Sequence, residues 1–334
     1  MKITIPIRGS EFEEDFVAYE LFLEEIITLS KNEKLISLID NENISSENEY
    51  SRIEKLEFEI KKGNRHDNSE PKFATELNKT HHFFHTEWTN EYLIIKLNIN
   101  TENTNDLDNL DDLEYLEYLV NEYLTRLNFL INLSYATNVD FLYGVIYSNS
   151  NKYIGKTNII VSTNMYAYEH SRKINWPKID SVRLIETISW FYKFKIHPNN
   201  RSENNLHRAI NAFSNLYGGL KKERSADLFW VMLGIESLLV EGNQNITSQF
   251  KDKSIIILGK PNEYKRKLTK LYEYRSKLIH GSFNIYPKYY SNYHDFDDEY
   301  SEYLDFAVSI LIALMRKLIK KQKSQFEFEL KLKE

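Results

Sequence analysis

The segment PNEYKRKLTKLYEYRSKLIHG, Pro261 to Gly281, reads as one apolar-striped helix with a proline at its start and a glycine at its end. Proline lacks only an N–H that the first helical turn leaves unbonded in any case, and glycine accepts the left-handed backbone that closes a last turn. The same grammar recurs on both sides. SVRLIETISWFYKFKI, NLHRAINAFSNLYGGL, SADLFWVMLGIESLLVEG, NITSQFKDKSIIILG and EYSEYLDFAVSILIALMRKLIKK each carry a helical apolar period, and Gly218, Gly242 and Gly259 stand where helices should end. Residues 180–322 are therefore expected to form an all-helical bundle in which short connections join antiparallel neighbours. The exception is NIYPKYYSNYHDFDD, a long tyrosine-rich connection before the last helix. Residues 323–334 form a polar tail that either frays or adds a strand.

Ahead of Asp180 the pattern alternates. MKITIPI, EKLEFEIKK, EYLIIKLNI, FLYGVIYS and TNIIVST read as strands, the first with Ile3, Ile5 and Ile7 on one face. Phe12 to Ile27 and Leu113 to Leu133 have helical spacing instead. The expected architecture is an α+β N-terminal domain over residues 1–179, followed by the all-α helical-bundle C-terminal domain.

Composition narrows the function. A chain of 334 residues has room for two ordinary domains. It contains no cysteine, which rules out a disulfide framework, a thiolate zinc site and a cysteine nucleophile. The N-terminal stretch lacks the apolar core of a signal peptide, and the longest apolar run, Phe306 to Met315, is too short to span a bilayer and is followed by Arg316 and Lys317. A cytoplasmic location without a membrane segment is expected. A net charge of −6 argues against a protein that coats nucleic acid generally. The charge is uneven, however. Glu102 to Glu122 holds eight acidic residues and no basic one, whereas Lys260 to Lys277 holds seven basic residues against Glu263 and Glu273.

That basic stretch contains Arg275 and, just beyond it, His280. A guanidinium can neutralise phosphate oxygens through a planar two-pronged contact, and an imidazole titrates near neutral pH. Spacing alone is weak support, because twelve arginines and nine histidines produce such a pattern about once by chance. It does occur again, at Arg201 and His207, where Arg201 lies in a polar loop. Residues five apart also differ by about 140° around a helix, so one copy does not aim both groups the same way. A frayed helix end or a second copy across a twofold axis would unite them. A cation and a histidine in a last helical turn also favour the macrodipole without any function.

RSKLIHG, preceded by Tyr272 and by SADLFWVMLGIESLL, resembles the signature of HEPN domains (higher eukaryotes and prokaryotes nucleotide-binding), in particular the Apea-like branch. The matching positions are Arg275, Ser276, Ile279, His280 and Gly281, with Glu236 in the acidic position of the earlier helix. The resemblance covers roughly residues 180–321 and does not reach the N-terminal half. It implies a metal-independent endoribonuclease, without cofactor, that works as a homodimer with a composite site. It further implies a toxin or anti-phage effector, switched on by a phage-derived or host activator. Some relatives have lost activity, so a catalytically inactive module that binds RNA or dimerises is the alternative. In the active case Arg275 and His280 are catalytic, with Glu236 and Ser276 in support. Glu236 either holds Arg275 or is an ordinary glutamate at a helix edge. Ser276 bonds a phosphate or its own helix backbone.

Lys265, Arg266, Lys270 and Lys277 are candidate RNA contacts, as are Tyr286 and Tyr290, which either stack bases or pack over the bundle. His81, His82 and His85 could ligate a metal, but only Glu87 lies nearby, and ordinary histidines in a β-rich region are the expectation.

Overall fold

The computed structural model describes residues 1–7, 13–40, 51–62, 91–101, 110–136, 139, 141–150, 153–159, 162–197, 200–217, 226–260, 265–282 and 298–328. Five strands, β1 (Lys2–Ile7), β2 (Ser51–Lys62), β3 (Glu91–Thr101), β4 (Phe141–Tyr147) and β5 (Tyr153–Ile159), form one antiparallel sheet in the order β2-β3-β1-β4-β5. Alternation decides which face is covered. Phe58, Ile95, Ile3 and Ile146 lie in register across four strands, and all four are buried. Their neighbour Lys96 points to the other face, where it binds Glu59 at 3.1 Å. The helices α1 (Glu13–Thr28) and α3 (Leu110–Ser134) cover the apolar face, α1 against β2 and α3 against β4 and β5. Between α1 and β2 lies α2 (Glu33–Ile39), capped by the Asn32 side chain on the Leu35 N–H.

β2 is an edge strand, and exposed edges invite pairing with other chains. Here the turns around α2 occupy it. The Ile53 N–H donates to the Asp40 carboxylate at 3.1 Å, the Lys31 N–H donates to the Leu56 carbonyl at 2.7 Å, and the Phe58 N–H donates to the Ser30 hydroxyl at 2.9 Å. Asp40→Ala should cost about 1–3 kcal/mol, the usual penalty of an unpaired buried donor. Urea unfolding measures that loss, and light scattering should show added self-association.

The strand expected at TNIIVST lies earlier, at Tyr153–Ile159, and Ser162 already belongs to α4 (Ser162–Ile174). Helical structure thus begins before Asp180. The reason is packing. The Glu117 carboxylate of α3 accepts the Lys156 N–H at 3.0 Å, and a Cβ on Gly155 would stand 2.1 Å from that carboxyl. Gly155 leaves room for that carboxyl and thereby weakens the strand pattern in the sequence.

Six helices follow: α5 (Leu184–Lys193), α6 (Asn205–Ser214), α7 (Asp227–Leu239), α8 (Ile246–Leu258), α9 (Lys265–Ile279) and α10 (Asp298–Lys321). The glycines behave differently from one another. Gly281, at φ +69°, closes α9 with the Ser282 N–H on the Lys277 carbonyl at 2.9 Å, the six-to-one bond of a left-handed helix end. Gly259 caps α8 at φ +90° and ψ 168°, an extended region open essentially to glycine alone. Gly242 lies beyond the Val240 cap of α7, not at the helix end. Gly218 and Pro261 fall outside the described residues. Residues 323–328 form no strand; Trp190 donates to the Lys323 carbonyl at 2.8 Å, and Lys253 sits 4.7 Å from the Phe328 ring.

The change of element type near residue 180 is not a gap in packing. One apolar cluster includes Phe22, Tyr135, Leu184 and Phe306. Two buried charges cross the same line. Arg316 of α10, 2% exposed, donates to the carbonyls of Asn132 (3.0 Å), Leu133 (2.9 Å) and Tyr135 (2.5 Å) at the C-terminal end of α3, and to the Tyr168 hydroxyl of α4 (2.6 Å). Glu25 of α1, 4% exposed, accepts the N–H groups of Leu184 (2.9 Å) and Ile185 (3.2 Å) at the start of α5, and also the Tyr135 hydroxyl. A cation thus meets a helix C-terminus and an anion meets a helix N-terminus, the two arrangements that helix dipoles favour. No described helix is long and apolar enough to cross a membrane.

Candidate active site

α7 buries Leu228, Val231, Met232, Ile235 and Leu239, which leaves Glu236 at the margin of its apolar stripe. α9 buries Leu268, Leu271 and Tyr274 in the same manner, and Arg275 follows at the edge of that stripe. The two margins meet. Arg275 Nη2 donates to Glu236 Oε2 at 2.9 Å, with side chains only 21% and 16% exposed. The Arg275 guanidinium also lies 5.6 Å from the centre of the Tyr272 ring. The Tyr272 ring in turn packs 5.7 Å from the Phe250 ring of α8. Three helices therefore hold one guanidinium. Glu236 is not the exposed helix-edge glutamate of the simpler expectation.

Burial pushes the Glu236 carboxyl above its ordinary value; the charge and hydrogen bond of Arg275 pull it back without cancelling that rise. Burial raises the Tyr272 phenol too, with the Glu236 charge adding to the effect. A raised folded-state value favours the protonated carboxyl on folding. Its stabilisation is complete below about 4.5, the ordinary carboxyl value, and is lost as pH climbs through the raised one. Glu236→Gln should therefore gain on the wild type as pH increases from 4.5 toward neutrality, as followed by urea unfolding across that range. A wild type that gains on the variant would instead mean that the guanidinium outweighs burial.

His280 occupies a different position. Its N–H donates to the Ser276 carbonyl at 3.0 Å, making it the cap residue of α9, and its ring is exposed with no hydrogen-bond partner among the described residues. The helical turn sets it about 140° from Arg275. Ser276 is half-buried, and its hydroxyl makes no hydrogen bond among the described residues. Arg266, Lys270 and Lys277 are exposed. Lys265 begins α9, but its side chain, like Tyr286, Tyr290, His81, His82 and His85, lies outside the described residues. Within one copy, then, the fold joins Arg275 to Glu236 and turns His280 outward.

The second arginine–histidine pattern is structural. His207 is buried with Nε2 3.0 Å from the Phe194 carbonyl, and Arg201 is exposed. Sequence reasoning did not assign the roles of Tyr272 and Phe250. Tyr272 precedes Arg275 by three positions, a helical-neighbour signal, but nothing local marks Phe250. A further perturbed group, His170 of α4, packs 5.6 Å from Phe306 and is held down to about 4, by burial first and then by the charge of Lys267. No protein-family model, curated protein or solved structure matches this chain.

Proposed function

We propose that this chain is a metal-independent endoribonuclease of the HEPN type, acting as a cytoplasmic homodimer in anti-phage defence or as a toxin. The observation that carries the proposal is the contrast between its two candidate groups. Arg275 is held by Glu236 and Tyr272 at a fixed place between helices, and His280 stands exposed and unbonded at a helix end. A second copy completes the site, because one copy turns the two groups apart.

The chemistry balances without a further reagent. The His280 imidazole takes the proton from the ribose 2′-hydroxyl, and that oxygen bonds to the adjacent phosphorus. The bond from phosphorus to the 5′ oxygen breaks, and the leaving oxygen takes the proton back from the His280 imidazolium. Arg275 offsets the charge on the phosphate oxygens as the new bond forms. The products are a 2′,3′-cyclic phosphate and a 5′-hydroxyl. Incubation of the purified chain with labelled tRNA or total RNA in EDTA tests this directly, the expected products being cyclic-phosphate ends from RNA and intact DNA. A chain that binds RNA and leaves it whole, with candidate activators present, would favour the inactive RNA-binding or dimerising module. The outward turn of His280 from Arg275 in a single copy is what that second reading draws on.

A further inference from the structure

We infer that the outward face of α9 is a track for the sugar–phosphate backbone of a single nucleic-acid strand, with His280 at its end. This rests on the RNA-cleavage proposal for its biological substrate but not for its physical basis. At 100° per residue, Arg266, Lys270, Glu273, Lys277 and His280 fall within about 80° of one another, and Arg275 lies about 180° from Arg266. The exposure pattern follows that register. All five are exposed, and none makes an ion pair among the described residues. Arg275 faces inward on Glu236.

Arg266 to Lys277 covers about 16 Å of helix, long enough to meet several successive phosphates. The apolar side of α9 is already committed, since Leu268 and Leu271 are fully buried. The helix therefore has no free apolar face to sink into a lipid surface, and its outward charge suits a polyanion in water. Lys267 is not part of the track: it is bound to Glu302 at 2.5 Å. Glu273 sits in the middle of the stripe and opposes it, which supplies a test of opposite sign.

The experiment uses the full chain and a single-stranded DNA oligonucleotide, which lacks the 2′-hydroxyl and survives binding. Affinity is measured against salt concentration. Changing Arg266, Lys270 and Lys277 together to glutamine should lower the slope of log affinity against log salt by about 2, and affinity at 0.1 M salt about a hundredfold. Glu273→Gln should strengthen binding, a result that a purely helix-stabilising role for these side chains does not produce. A triple variant that binds as the wild type does, or a Glu273→Gln chain that binds no more tightly, overturns the track. So does a wild type that prefers anionic lipid vesicles to the oligonucleotide. RNA cleavage is scored separately. Cleavage by a triple variant with unaltered binding removes the track and keeps the nuclease; loss of DNA binding in the variant, with no RNA cleavage by the wild type, does the reverse.

Discussion

His280→Ala should lower RNA cleavage by about 10²–10⁴-fold, the usual range for removing a general acid–base group. The wild-type fold should tolerate it, because the ring is exposed and makes no hydrogen bond among the described residues. Dimer mass and urea midpoint should therefore match the wild type while cyclic-phosphate ends disappear. Arg275→Ala is expected to lose about 10²–10³-fold, typical of removing one donor to developing negative charge. That variant also strands Glu236, which is 16% exposed and raised by burial, so some stability goes with it. Arg275→Lys separates the two effects. It retains a charge near Glu236 and loses the planar fork that grips a phosphate, so it should fold and still cut poorly. Expression offers a substrate-free version of the same test: growth arrest caused by the wild type should be relieved by His280→Ala. A His280→Ala chain that cuts RNA at the wild-type rate would end the catalytic assignment.

Arg316→Met should destabilise the chain by about 1–3 kcal/mol, as expected when a buried acceptor loses its donor. Methionine fills much of the space but donates nothing, so the buried Leu133 carbonyl loses its donor, while the carbonyls of Asn132 and Tyr135 keep only Asn164 at 3.4 Å and the Tyr168 hydroxyl at 3.1 Å. A folded domain rests on about 5–15 kcal/mol in all, so the variant should accumulate poorly and unfold at much lower urea. Arg316→Lys keeps the charge near the end of α3 and should recover only part of the loss, because one ammonium cannot span three carbonyls and the Tyr168 hydroxyl. Glu25→Gln is the milder counterpart. It keeps an acceptor for the Leu184 N–H and gives up the favourable charge at the start of α5, a change of about 1 kcal/mol. An Arg316→Met chain as stable as the wild type would mean that α10 is not tied to α3 through this residue.

The elements with a long, regular period were readable from the residues alone. α3, α5 to α8 and α10 follow a 3.6-residue apolar rhythm over nearly three turns or more, and β1 and β2 alternate, because burial of one face imposes that rhythm on any chain. α2 escaped because seven residues barely complete two turns. β5 was readable only from Thr157 rather than from Tyr153, because Gly155, which leaves room for Glu117 of α3, weakens the strand pattern there. At the candidate site the identities of Arg275, His280 and Glu236 stood out, and helical geometry already set the first two apart. That Glu236 and Tyr272 clasp Arg275, with Phe250 behind Tyr272, depends on three helices separated in sequence.

Arg316 is the clearest case of the remainder. In the chain it is only a cation ending an apolar run, which says that the run does not cross a membrane and nothing more. Its partners lie 184, 183 and 181 positions earlier, at the end of another helix. Periodicity is a short-range consequence of which side of an element meets water, so it is written locally. A buried charge finds its acceptors only when the core closes and shuts water out, and no local pattern records where that closure will bring them.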